Sequence, residues 1–153
     1  TMASLHARSG DYEKAAETFE YLLQIDPAKT SAMSKLAVLY CEHLGQPDRG
    51  VVFAERARSQ TPRSPEVLDA LGWSYYQTGR TSTGEEYLLN SLKRGETMDA
   101  HIHLAQVVMK RSEYDEALGH LRMAQELAQD DYSLNRIKAL QDDIRKAKSL
   151  SDL

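Results

Sequence analysis

The chain has 153 residues, 41% of them hydrophobic and 27% charged, with a formal net charge of −4. That balance suits a folded chain with one sizeable core or a short array of repeats, and it argues against intrinsic disorder. No lysine/arginine block stands out and no apolar run approaches the roughly 20 residues of a bilayer span, so neither a nucleic-acid partner nor a membrane-spanning segment is expected.

Apolar residues recur at helical spacing along the whole chain, and no strand pattern competes. The periodicity predicts helices near 12–25, 31–44, 48–59, 65–78, 82–94, 98–111, 113–128 and 131–148. Only Met2 to Arg8 precede the first turn, at Gly10-Asp11, so the leading helix there is short. Further turns are expected at Gly45-Gln46-Pro47, Gly79-Arg80 and Arg111-Ser112. No proline falls after Pro65, which leaves the second half free for nearly continuous helix. Asp130-Asp131 can cap the last helix, whose Leu134, Ile137, Leu140, Ile144 and Ala147 form one stripe suited to cover an open end.

The elements repeat. Leu36-Ala37 is followed by Tyr40, Leu71-Gly72 by Tyr75 and Leu104-Ala105 by Val108, all at the same offset. The small residues Ala37, Gly72 and Ala105 lie 33 to 35 residues apart. Each turn leads to a second helix with a small residue near its start, at Ala15, Gly50, Gly84 and Ala117. Phe19 and Leu22, Ala54 and Ala57, Leu88 and Ser91, and Leu121 and Ala124 then follow with the same step.

In these landmarks the chain resembles the tetratricopeptide repeat family, whose period is about 34 residues. The clearest unit carries Leu68, Leu71-Gly72, Tyr75 and Gly79; the last carries Leu104-Ala105, Tyr114, Ala117, Leu121 and Ala124; the first carries Gly10-Asp11-Tyr12, Ala15, Phe19 and Pro27. The resemblance implies an all-α fold, a right-handed superhelical array of antiparallel helix pairs with a C-terminal capping helix. The expected organisation is an array over 1–131, with a partial unit 1–29 and units at about 30–64, 65–97 and 98–131, then a cap and tail over 132–153. The chain departs from the family pattern at Gly50 and Gly84, where alanine is usual, at Glu96, where proline is usual, and by an extra residue around Gly45 to Pro47. Its truncated first unit suggests a piece of a longer array, with self-association through that end as one consequence.

The resemblance also implies a concave groove for a peptide or partner helix. Helix geometry separates two faces of the clearest helix: Leu68, Leu71, Gly72 and Tyr75 on one, Glu66, Asp69, Trp73 and Tyr76 on the other. Equivalent rows hold Ser31, Ser34, Val38 and Cys41, and Asp99, Ile102, Gln106 and Met109. The expected partner-binding residues are therefore Val38, Cys41, Glu42, Glu66, Asp69, Trp73, Tyr76, Ile102, Gln106 and Met109. Val38, Cys41, Trp73, Tyr76, Ile102 and Met109 would make an apolar floor, with acidic margins at Glu42, Glu66, Asp69 and Asp99. Two roles are open for Trp73, packing between helices or contact with a partner. The margins favour a neutral or basic segment over an acidic one. The Lys/Asn/Arg clamp by which some family members hold a terminal carboxylate is missing from these rows.

Catalytic patterns are lacking: there is no nucleophile elbow, phosphate-binding glycine loop or Cys-x-x-Cys. The pairs Cys41/His43 and His101/His103 are two apart on helices, about 200° around the axis, and cannot grip one ion together. His120 and His6 have no cluster partner in the sequence. No catalytic residue, metal or cofactor is expected. The leading expectation is a non-enzymatic interaction scaffold. The alternatives are a structural spacer or oligomerisation segment of a larger repeat protein, or a docking domain of a larger enzyme or secretion assembly.

Overall fold

In a computed structural model of the chain, residues 1–152 are described. Among these, the helices are α1 (Met2–Arg8), α2 (Tyr12–Ile25), α3 (Thr30–Glu42), α4 (Pro47–Gln60), α5 (Pro65–Gln77), α6 (Thr81–Arg94), α7 (Met98–Met109), α8 (Tyr114–Leu127) and α9 (Asp131–Ser151). No strand occurs among the described residues. The architecture is all-α, a succession of helix pairs. α3 ends earlier than its apolar pattern suggests because the chain turns at Gly45, which has φ +61°.

All four turns within the helix pairs contain a residue in the left-handed region: Gly10, Gly45, Gly79 and Ser112. At Gly79 (φ +87°) the amide of Arg80 reaches back to the Tyr75 carbonyl at 2.9 Å, which satisfies a carbonyl that the helix end would orphan. Ser112 makes the same kind of turn at φ +61° without being glycine, with the Glu113 amide 3.2 Å from the Val108 carbonyl. A side chain there carries a steric cost that glycine avoids. Helix starts are capped where the sequence offers an oxygen. Ser64 accepts from the Val67 amide at 3.4 Å ahead of Pro65, Thr97 from Ala100 at 3.3 Å, and Asp130 from Ser133 at 2.8 Å.

The chain divides into two compact units, residues 1–94 and the part that begins at Gly95. In the first, α5 packs on α3, α4 and α6, and α3 on α2 and α4. Its core holds Phe19, Met33, Leu36, Leu39, Val67, Leu71 and Leu88. The closest contact is between α5 and α6. A Cβ added at Gly72 would stand 2.8 Å from both the Gly84 carbonyl oxygen and the Leu88 nitrogen; one added at Gly84 would stand 2.6 Å from the Gly72 oxygen and the Tyr76 nitrogen. The two backbones touch directly. Ser91 Oγ then donates to the Pro65 carbonyl at 2.7 Å, which ties the far ends of the same pair. Gly50 plays a similar part on α4, where a Cβ would meet Cys41 Sγ at 2.6 Å and the Ala37 oxygen at 2.8 Å. Glycine inside a helix costs about 1 kcal/mol against alanine. Here the close approach explains why the departures from alanine at 50 and 84 are tolerated.

Successive pairs of the first unit are tied by a repeated polar clamp. The hydroxyl of Tyr40 on α3 donates to Glu20 on α2, and that of Tyr75 on α5 donates to Glu55 on α4. Each carboxylate also binds an arginine, Arg49 to Glu20 at 2.6 Å and Arg58 to Glu55 at 2.9 Å. Guanidiniums cover both rings, Arg49 at 4.2 Å from the Tyr40 centroid and Arg80 at 5.1 Å from that of Tyr75. Burial, reinforced by Glu20, pushes the Tyr40 phenol up to about 12, so it remains a donor throughout the neutral range. Hydrogen bonds to a charged acceptor are worth about 1.5–3 kcal/mol, and less where water reaches the carboxylate, as it does here.

In the second unit α7 packs on α8 and α8 on α9. Ile102, Ala105, Val108, Ala117, Leu121, Ala124, Ile137 and Ile144 form its core. Ile137 and Ile144 supply the α9 part of that core, and Leu140 packs against it, as the stripe on the last helix leads one to expect. Arg136 on α9 lies 3.6 Å from Asp99 on α7.

Gly72→Ala should lower unfolding free energy by roughly 1–3 kcal/mol, because the new methyl meets backbone that cannot swing away. Gly119, on α8, has nothing within 4 Å of an added Cβ. Gly119→Ala should instead raise stability by up to about 1 kcal/mol through helix propensity. Urea denaturation of the two variants checks both signs.

Candidate functional site

The expected groove rows lie on α3, α5 and α7, and the structure treats their members unequally. In the first unit, Glu66 is exposed, while Val38, Cys41, Glu42 and Tyr76 are partly covered. Val38 packs against the small cluster of Ala37, Ala54, Ala70 and Leu71. The Tyr76 ring stacks on Trp73, 5.7 Å between centroids and nearly parallel. Glu42 lies 3.6 Å from the His43 imidazole, its side chain largely covered.

Three of the expected contact residues lie buried. Trp73 is only 2% exposed, so of its two roles the structure supports packing; its indole is not part of an open floor. Asp69, expected on the acidic margin, is 4% exposed. Ile102, expected on the floor, is fully buried in the second unit's core, because that face of α7 meets α8 and α9 residues such as Leu121 and Ile137. The sequence pattern groups these residues on rows but does not say how much of each row packing will cover. In the second unit Gln106 and Met109 remain partly exposed. Gln106 folds back to the Ile102 carbonyl at 3.4 Å, and Met109 packs beside the core.

Cys41 turns its thiol toward Ser74 Oγ, 3.4 Å away, and against Gly50. Burial pushes that thiol up to about 11, which leaves it a poor nucleophile at neutral pH. Cys41 therefore belongs to the packing between α3, α4 and α5. Among the described residues no three His, Cys, Asp or Glu side chains are grouped as a metal ion would require. Beside the start of α8 there is an open pocket of about 440 Å³, lined in part by Glu113, Asp115 and Lys148. The ion pair of Lys148 with Asp115 at 2.6 Å is exposed. No described helix is long and apolar enough to cross a membrane.

One polar pair escaped the sequence reading. His120, without a partner in the sequence, meets His101 across the α7–α8 contact, Nδ1 to Nδ1 at 3.0 Å. One of the two nitrogens must donate and the other accept, so the pair is compatible with two neutral rings in complementary tautomers. His101 is 4% exposed, and its Nε2 is buried without a hydrogen-bonding partner. Burial, then the charge of His120, depresses the His101 pKa, with Glu96 opposing. Burial also depresses that of His120, with Glu116 opposing. The signal was available only as periodicity: His101 faces the buried side of α7 and His120 lies on the adjoining helix.

Models of tetratricopeptide repeats match residues 6–73 and 70–132. Among curated proteins, the chain is 21% identical over 106 residues to a TPR repeat-containing protein of Pseudomonas aeruginosa, covering 69% of this chain and 18% of that protein. It is 27% identical over 79 residues to the Photosystem I assembly protein Ycf3 of a Synechococcus strain, covering 50% and 45%. The chain thus spans less than half the length of either relative. Among solved structures, a thermophilic TPR protein of Thermus thermophilus superposes with a TM-score of 0.70 at 20% identity, over 90% of this chain and 77% of that one.

Both histidines have folded pKa values below the unfolded value of about 6.5, so their contribution is fully present above that pH and is lost as pH falls through the folded values. Urea midpoints should therefore drop between about pH 7.5 and about pH 5.5, and His120→Gln should flatten that dependence. Equal slopes in the two proteins would remove the pair as its source.

Proposed function

The chain belongs to the tetratricopeptide repeat family, and from that premise we propose that it is a non-enzymatic interaction module that holds a segment of another protein. The proposed seat lies on α3 and α5 of the first unit, two helices in direct contact. The carrying observation is the exposure that remains there once Trp73 and Asp69 are buried: Ser31 and Glu66, near the helix starts, are open to solvent, and Val38 and Tyr76, further along the same helices, are half covered. This surface combines a small apolar patch with the exposed carboxylate of Glu66. A short aliphatic or aromatic side chain beside lysine or arginine is the complement that it favours. Ycf3 is named for assembly, and binding a protein segment is consistent with work of that kind.

The chemistry of the rows supports a non-catalytic reading. Carboxylates are spread along helix surfaces, and the one thiol is held protonated by burial. An acidic C-terminal peptide fits poorly, since neither row offers the Lys/Asn/Arg clamp it would need.

A random-peptide phage library tests the reading. Selected sequences should be enriched in Lys or Arg beside an apolar residue. The combined change Glu66→Lys with Tyr76→Ala should weaken them about tenfold, which corresponds to about 1.4 kcal/mol, at unchanged helicity. Acidic selected peptides, or undiminished affinity in the double variant, would remove this surface from the proposal.

A second reading, self-association through α1, draws on the exposure of Met2 at 62% and Leu5 at 60%. Leu5→Lys should then shift sedimentation toward monomer. A wild-type protein that is monomeric at all concentrations tested would exclude it.

A further inference from the structure

Loss of stability in acid requires only that the two facing imidazoles of the second unit be buried. A switch requires more: a fixed place for the proton at neutral pH, and a second place for His120 once it is charged. The α7–α8 contact supplies both. The proton between the two rings can lie either way. If His120 Nδ1 donates, neutral His101 carries its own proton on Nε2, which is buried with no hydrogen-bonding partner. If His101 Nδ1 donates, that Nε2 is bare, and His120 carries its proton on its other nitrogen. A buried N–H without an acceptor is rarer and costlier than an under-satisfied acceptor. The neutral pair is therefore ordered, with His101 as donor and His120 as acceptor at 3.0 Å. When one more proton joins the pair and the bond persists, an N–H must appear on His101 Nε2. That places a charge and an orphaned donor together beside a side chain only 4% exposed.

His120 has another course. It is only partly covered, and the exposed Glu116 precedes it by four residues on α8. A carboxylate and a cation in that order, one helical turn apart, attract each other. Burial disfavours the charged form of each ring, and at His101 the charge of His120 adds to it. Glu96, ahead of α7, opposes this at His101, and Glu116 opposes it at His120. Glu96 thus acts on the ring whose remaining nitrogen is enclosed, Glu116 on the ring that can turn toward solvent. We propose that the His101–His120 contact is an acid-operated latch: at neutral pH His120 is held on His101 and closes α8 on α7, and in acid it takes up a proton, leaves His101 for Glu116, and the helix pair loosens. The latch is closed above the pH at which His120 titrates and opens as pH falls through it. The inference does not depend on the peptide-binding reading, whose surface lies on α3 and α5.

Long-range proton–nitrogen correlation spectra of the isotope-labelled full chain test it, recorded from about pH 7.5 downward together with amide exchange. At the neutral end His101 should carry its proton on Nδ1 and His120 on Nε2. As His120 becomes an imidazolium, amide protection in α7 and α8, corrected for the intrinsic pH dependence of exchange, should fall at least about threefold. Glu116→Gln changes an exposed side chain and should leave the neutral tautomers as they are. By removing the second place of His120, it should move that titration to lower pH by about 0.2–0.4 unit. A proton on Nδ1 of His120 at neutral pH would overturn the ordered pair. Unchanged protection through the titration, or a titration that Glu116→Gln does not move, would overturn the latch.

Discussion

Direct backbone contact between α5 and α6 at Gly72 and Gly84 is the constraint from which the rest of the first unit follows. With no Cβ on either side, the two helices approach until the carbonyl of one touches the chain of the other. That approach brings Leu71 and Leu88 to complete burial and places Ser91 within reach of the Pro65 carbonyl. The neighbouring pair repeats the theme with Ala37 and Gly50, and the second unit uses Ala105 and Ala117. Small residues at these positions are thus the means by which a helix pair becomes a stackable unit. The cost in helix propensity is modest beside the apolar area that the close approach removes from water.

Once that face of α5 is committed, the opposite face has to serve two purposes. Trp73 and Asp69 are covered, while Glu66 and part of Tyr76 remain accessible. A tryptophan buried on the side opposite the tight contact shows that the helix is packed on more than one face. What stays open is a narrow strip rather than a broad apolar floor.

The two units meet their polar requirements differently. In the first, phenol–carboxylate–guanidinium groups connect one pair to the next, partly exposed and so partly screened. In the second, two imidazoles face each other within a pair, deep enough for burial to disfavour their charged forms. The first arrangement concerns coupling between repeats. The second concerns the protonation of a buried contact.

The sequence by itself determined the elements and their register. The spacing of Ala37, Gly72 and Ala105, the four turn sites and the stripe on α9 all lie in local pattern, and helix formation and turn chemistry respond to local pattern. Even the close approach at Gly72 and Gly84 was legible, because a glycine inside an amphipathic helix has few other uses. Tertiary structure decided how much of each face is covered. Nothing local distinguishes Trp73 from Tyr76 or Ile102 from Met109 on their rows, since exposure depends on what the neighbouring helices bring against them. The same holds for His101 with His120, nineteen residues apart, and for Glu20 with Tyr40 and Glu55 with Tyr75, twenty apart. Such pairs exist only after helix axes and side-chain rotamers are set, and the repeat period becomes informative about them only once one pair has been seen.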